Sequence, residues 1–213
     1  MDIGNLNIEW VGHSTFKIKY KNTVIYFDPY ILDKDPEKAD LILITHEHFD
    51  HCDNEKVHMI NKSDTIIVTN VSSAKKLSGN VKMIEEGKEI IEKSIKVRAV
   101  NAYNVGKPFH PKGFGIGFII DVDGTRIYHA GDTDLIQEMA NYKTDVALLP
   151  IGGTYTMNEE EAANAAILIQ PKIAIPMHFN FIKGTKANPE IFERNIQDQS
   201  LIEAKTLKPI VRP

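Results

Sequence analysis

Three histidines and two acids fall within the seven residues Thr45-His46-Glu47-His48-Phe49-Asp50-His51, directly after the apolar run Leu41-Ile42-Leu43-Ile44. An extended chain alternates its faces, so His46 and His48 point the same way. A turn after Phe49 swings Asp50 and His51 toward a second point nearby. Imidazole nitrogens with a carboxylate suit zinc, manganese, iron or nickel better than magnesium or calcium. A solvated polar loop explains any one of these residues but not five together, so the stretch reads as a metal site.

Further candidates stand at two later strand ends, His129-Ala130-Gly131-Asp132-Thr133 and Pro176-Met177-His178-Phe179. A carboxylate after a strand and a glycine turn suits a site, and it equally suits a helix N-cap. His178 alone reads as an ordinary strand-end histidine; beside the first cluster, both become ligand candidates. Asp28, before Pro29, either starts a turn or accepts from the second nitrogen of a ligand histidine. Cys52 is a soft ligand or a small buried residue at a helix start, and His58 reads as an exposed helix position. Lys112 either contacts a phosphate or carboxylate or is simply solvated.

The elements that must place these groups come in two similar runs. Residues 7–27 read as two or three strands with tight turns, and 40–45 as a strand buried on both faces. A short helix at 54–60, a strand at 65–69 and a helix at 72–77 closed by Ser78-Gly79 follow. Strands return at 81–84, 90–91 and 95–100. The loop 101–115 is too polar and too punctuated for a regular element, and loops of that length tend to be functional. Then come a hairpin over 116–122 and 126–130 through Asp123-Gly124, a short helix at 135–141 and a strand at 145–149. A helix at 159–169 with Asn158 or Thr156 as cap, a strand at 172–176 and a helix at 189–197 complete the plan. The expected fold class is α/β (α+β by some schemes): a four-layer αββα sandwich formed by residues 1–213 as one domain.

Composition excludes several roles. With 213 residues, 42% hydrophobic and 25% charged, the chain has the balance of a globular protein with a substantial core. A net charge of -4 gives no argument for nucleic acid, although it leaves room for a local basic groove. One cysteine excludes internal disulfides and zinc-finger frameworks and fits a reducing compartment. No apolar run approaches a membrane span, and Met1-Asp2-Ile3-Gly4-Asn5 lacks a signal-peptide pattern, so the expected location is cytoplasmic without a membrane partner. Self-association into a homo-oligomer stays open.

The ordered blocks His46-x-His48-x-Asp50-His51, Gly131-Asp132-Thr133 and Pro176-Met177-His178 resemble the metallo-β-lactamase fold superfamily. The flanks Val11-Gly12-His13-Ser14, Leu149-Pro150-Ile151-Gly152-Gly153 and Thr156-Met157 sharpen the match. Together they are similar to its small single-domain metal-dependent hydrolases, the branch that includes ascorbate-6-phosphate lactonase-like proteins, over residues 7–180. The resemblance implies a first metal on His46 and His48, a second on Asp50, His51 and His178, and Asp132 bridging them. Two divalent ions about 3.5–4 Å apart, zinc first among the candidates, hold a hydroxide that attacks an ester. Asp50 or Asp132 orients it, and His13 faces the metals as a substrate-binding or acid/base residue. The implied substrate is a small anionic or ester molecule: a phosphodiester, a lactone or a related ester. A redox diiron protein of the same fold, or a metal-binding protein without turnover, is the alternative. One departure stands out. The family's third histidine on the first metal corresponds to Asn101, a poor ligand that is otherwise a substrate contact. We expect the loop to fold back so that His110 completes that metal.

Overall fold

The structure, a computed structural model, describes residues 1–212. Its first half is a seven-stranded sheet in sequence order: β1 Asp2–Ile3, β2 Leu6–Gly12, β3 Thr15–Tyr20, β4 Thr23–Phe27, β5 Leu41–Ile44, β6 Ile66–Thr69 and β7 Asn80–Met83. The second half is another: β8 Glu89–Glu92, β9 Ile95–Ala102, β10 Gly115–Val122, β11 Thr125–His129, β12 Val146–Pro150, β13 Ile173–Met177 and β14 Glu203–Ala204. Each sheet begins antiparallel and turns parallel at its fourth strand, β4 and β11. The halves thus repeat one plan.

The pattern follows from sequence. Strands β2 and β3 alternate and pair through tight turns, whereas β5 and β12 are buried throughout and run parallel to their neighbours through longer crossover connections. The sheets face each other across an apolar core that includes Ile8, Phe16, Phe27, Leu43, Phe118, Ile120 and Leu148. Helix α1 (Asn54–Ile60) covers the outer face of the first sheet, setting Val57 and Ile60 against Tyr26, Ile42 and Ile44. Its N-terminus is capped by Asp53, whose carboxylate accepts from the Glu55 and Lys56 amides. Helix α2 (Val71–Ala74) is a single turn. On the second sheet α3 (Glu159–Ile169) buries four alanines and Ile169, a face small enough for close packing. It starts from a reciprocal capping box between Asn158 and Glu161. Helix α4 (Pro189–Gln197) packs on α3. The result is the αββα order.

Two expected helices are shorter than their patterns. Residues 72–77 yield only the turn of α2, since Leu77 is left half-buried and Gly79 sits at φ +112. Residues 135–141 yield a 3-10 turn, Gln137–Asn141, anchored by buried Met139. Among the described residues no helix is long and apolar enough to cross a membrane.

Candidate metal centre

The carboxyl ends of the parallel strands converge on one edge, where sheets of this kind place ligands. Three backbone and ring contacts fasten the two sheets there. Ile116 N donates to Thr45 O (3.0 Å), His178 N to His13 O (3.1 Å), and His129 Nε2 lies 2.9 Å from Ser14 O. Two glycines permit the approach. A Cβ on Gly131 (φ +63) would sit 3.0 Å from the Thr45 Cβ, and one on Gly152 would collide with the His178 carbonyl.

Asp28 anchors the first cluster. Wholly buried at the end of β4, it accepts from Thr45 N and Thr45 Oγ1, both at 2.8 Å, and lies 2.7 Å from His51 Nδ1. A carboxylate only accepts, so His51 carries its hydrogen on Nδ1 and turns Nε2 inward. The Thr45 hydroxyl, committed as donor to Asp28, accepts from His46 Nδ1 at 3.0 Å, which leaves His46 Nε2 as a lone pair. Asp28 also initiates a turn, its carbonyl accepting from Tyr30 N.

His110 arrives from the opposite side. Its Nδ1 lies 3.0 Å from Asn104 Oδ1, an acceptor, so Nε2 is again a lone pair. His48 Nδ1 lies 3.1 Å from His46 Nε2 and 3.1 Å from His110 Nε2. Three nitrogens thus face one another, and two of them are fixed as acceptors. One hydrogen on His48 cannot satisfy both neighbours; a cation can. An ion about 2.0–2.1 Å from each nitrogen sets tetrahedral neighbours roughly 3.3–3.4 Å apart, close to these separations.

The second group comprises His13, Asp50, His51 and His178, with donor atoms within 4.8 Å of one another. Asp132 lies between the groups: Oδ1 is 3.2 Å from His51 Nε2, and Oδ2 is 3.1 Å from His178 Nε2 and 3.3 Å from His110 Nε2. His51 Nε2, His178 Nε2 and Asp132 Oδ1 are buried yet make no hydrogen bond, because they aim past one another. Buried polar atoms left unsatisfied are costly and need a partner. The residues therefore fit one cation in each group, with Asp132 reaching both.

The electrostatics agree. Burial pushes Asp132 upward, but the His178 and His51 charges outweigh it and hold the carboxyl well below its usual range. Asp50 is lowered likewise, against burial, by the His51 charge, by the hydrogen bond from His13 and by the His178 ring close by. Burial lowers His178, and the Asp132 charge with the nearby Asp50 carboxylate overcomes this to raise it to about 9. Burial, reinforced by His178, lowers His13 to about 4. Burial likewise keeps His46 well below its ordinary value and lowers His48 and His110.

The sequence from 7 to 178 matches the β-lactamase superfamily domain. The chain belongs to that superfamily. A UPF0173 metal-dependent hydrolase from Thermoplasma acidophilum is 38% identical over 207 residues, covering 89% of this chain and 90% of its own. Igni18, a metallo hydrolase from Ignicoccus hospitalis, aligns with TM-score 0.81 at 27% identity over 96% of this chain and 95% of its own. A protein structure from Parabacteroides distasonis aligns with TM-score 0.85 at 37% identity, covering 94% of this chain and 92% of its own.

Within this superfamily member, His46, His48, Asp50, His51, His110, Asp132 and His178 all come together at one edge. Asn101 does not: it stays in the β9 ladder opposite Ile116, outside the cavity, and His110 from the following loop stands beside His46 and His48 instead. Lys112 also departs from expectation. It is 3.0 Å from Glu138 and lies over the Tyr103 ring on the outer side, because the loop that turns His110 inward turns Lys112 outward. His13 is at the centre and wholly buried, its Nε2 2.9 Å from Asp50 Oδ2, and it stands within the second donor group and not on the cavity surface. Cys52 is buried with its thiol pushed by burial to about 11, outside the donor groups. His58 is exposed on α1.

Other residues escaped sequence reasoning. Asn104 accepts from both His110 N and Nδ1, and donates to Asp134 Oδ1 (3.1 Å) and Tyr155 O (2.9 Å). Lys107 bonds Asp134 (2.7 Å) and Thr156 O (2.7 Å). The one available signal was Asp134, a second carboxylate two residues after Asp132. Of the cavity walls, Phe109, Tyr155, Ile182 and Lys183 carried no motif, and Phe49 stood in the first cluster without a role of its own.

Proposed function

We propose that the 213 residues act as one cytoplasmic metal-dependent hydrolase domain with a dinuclear site, cleaving a small phosphodiester, lactone or related ester. The observation that carries this reading is Asp132, set within 3.3 Å of donors from both groups. His46, His48 and His110 would hold one ion, and Asp50, His51 and His178 the other, with Asp132 shared. When bound, such ions acidify water and polarise the bond under attack. Zinc suits this nitrogen-rich set best, with manganese, iron and nickel as alternatives.

The chain's own residues orient and hold protons. Asp50 and Asp132, both kept ionised, would accept the hydrogen of the attacking water. His13, neutral at pH 7, donates Nε2–H to Asp50 and fixes its second oxygen for that task. Hydrolysis adds one water across the ester: the hydroxyl stays on the acid, and the proton leaves on the alcohol. No electron is moved, which distinguishes this reading from a diiron redox centre. The first donor group has three histidines and no carboxylate of its own, which also favours hydrolysis.

Metal content and turnover test the proposal together. Zinc-loaded wild type is expected to hold two ions per chain and to cleave bis(p-nitrophenyl) phosphate or a lactone from a panel. His48→Ala and His110→Ala should each lose about one ion and at least roughly 100-fold in kcat/KM. Unchanged metal content and affinity in His110→Ala would remove it as a ligand. Absence of hydrolysis across the panel by metal-loaded wild type would overturn the enzyme reading.

A further inference from the structure

The open cavity above the donor groups has a volume of about 380 Å³, room for a small molecule. Its floor is His48, Asp50, His110, Asp132 and His178. The rest of its lining is of a different character: Phe49, Phe109, Tyr155 and Ile182, with Lys183 as the one charged residue beside the donors.

Phe49 is 66% exposed between two metal-donor candidates, and Phe109 is 38% exposed beside a third. A single exposed phenyl group is ordinary, but two on one cavity beside Tyr155 and Ile182 form a contiguous apolar surface open to a ligand. They are also held in place. The Phe109 and Tyr155 rings meet edge to face at 4.9 Å, Phe49 meets Tyr30 at 5.8 Å, and the Tyr155 ring lies against Gly184. Aromatic walls already packed against neighbouring rings receive an apolar group at a smaller ordering cost.

Lys183 supplies the charge. It forms no ion pair among the described residues, whereas Lys107 and Lys112 of the opposite loop are committed to Asp134 and Glu138. A single free ammonium beside apolar walls complements one negative charge. It does not provide the several cations that a polyphosphate or nucleic acid backbone requires.

Building on the hydrolase reading, we infer that the substrate is a small ester carrying one negative charge and an aromatic or branched-alkyl group, the apolar group lying between Phe49, Phe109, Tyr155 and Ile182 and the anion facing Lys183. Phe109, Ile182 and Lys183 are specificity residues, and none donates to the metals.

Two measurements keep this apart from the reading on which it rests. The first compares bis(p-nitrophenyl) phosphate with methyl p-nitrophenyl phosphate, which share a leaving group and differ in the apolar arm. The ratio of their kcat/KM values should fall about tenfold from wild type to Phe109→Ala/Ile182→Ala, since one methylene in such a pocket is worth that much or more. A ratio of two substrates is indifferent to the fraction of protein loaded with metal. The second is calorimetric binding to zinc-loaded protein without turnover. Naphthalene-2-sulfonate should bind at least about tenfold more tightly than methanesulfonate. Lys183→Glu should weaken the naphthalenesulfonate at least about threefold and leave 2-naphthylmethanol unchanged.

An unmoved ratio with equal sulfonate affinities overturns the apolar assignment while hydrolysis stands. Unchanged naphthalenesulfonate binding in Lys183→Glu overturns the anion assignment. Absence of hydrolysis with sulfonate discrimination intact leaves this inference standing as a binding site and removes the hydrolase. Absence of both removes both.

Discussion

Asp28, His13 and His178 adopt left-handed backbone, with φ of 41, 53 and 57, and none is glycine. Each such residue costs on the order of 1–3 kcal/mol, and such strain gathers at functional sites when the surroundings over-determine it. Here each strained residue meets the donor groups. Asp28 makes the least replaceable contact, because its two oxygens fix the Thr45 backbone, the Thr45 hydroxyl and the His51 ring. Asp28→Asn would put an amide N–H against one of these donors. Zinc affinity of the group containing His51 should drop about 10–100-fold, as when the outer partner of a ligand histidine is lost. The His46/His48/His110 group should be less affected. Competition with a chelator, followed as two binding steps, checks this; equal weakening of both steps would sink the separate assignment. The residue scale is also where sequence was most informative. The dense run His46-Glu47-His48-Phe49-Asp50-His51 stood out by its composition alone, whereas Asp132 and His178 drew their reading from it. The same clarity was missing for Asn104 and Lys183, whose types are common in loops and whose roles depend on what lies opposite.

The loop between β9 and β10 decides whether His46 and His48 have a third partner. It is irregular, yet it is tied down at several points. Asn104 N donates to His110 O, Asp134 Oδ2 accepts from Val105 N, and Lys107 reaches across to Thr156 O. The Asn104 side chain joins these ties to the His110 ring. Asn104→Ala removes the acceptor that selects the His110 tautomer and should weaken the first ion by about tenfold or more. Asn104→Asp keeps the acceptor but faces the Asp134 carboxylate, so it should not rescue. Faster amide exchange across residues 103–110 should accompany both variants, and wild-type affinity in Asn104→Ala would refute the role. Elements of strong pattern, such as β5, β12 and the capped α3, were legible because burial on both faces or a capping box leaves a local trace. The edge strands β1 and β14, of two residues each, left none, since their pairing is decided by distant partners. The path of the loop was legible only as a need: a histidine was missing from the first cluster, and one was within reach.

At the scale of the whole molecule the buried histidines tie folding to pH and to metal. In the metal-free protein His13 is lowered to about 4, and His46, His48, His110 and His129 are lowered too, first of all by burial. Between about pH 4 and the ordinary value of 6.5 these groups bind more protons unfolded than folded, so stability falls as pH drops through that window. His51 and His178 behave oppositely. Burial opposes their charge, but Asp132 and its neighbours raise His51 well above 6.5 and His178 to about 9. Their contribution is complete below pH 6.5 and is lost as pH rises toward about 9. Metal-free protein should therefore be most stable near pH 6.5 and lose Tm on both sides, by about 2–4 °C for each kcal/mol in a chain of this size. Ligation requires neutral imidazole, so zinc replaces the protons on His51 and His178. The alkaline decline should then vanish in the zinc-loaded protein, while the acid decline steepens as protons displace the ion. Calorimetric scans of both forms from pH 4 to 9.5 decide it. A metal-free Tm that stays level between pH 6.5 and 9, or an alkaline decline that zinc leaves in place, would show that these two histidines do not exchange a proton for a metal.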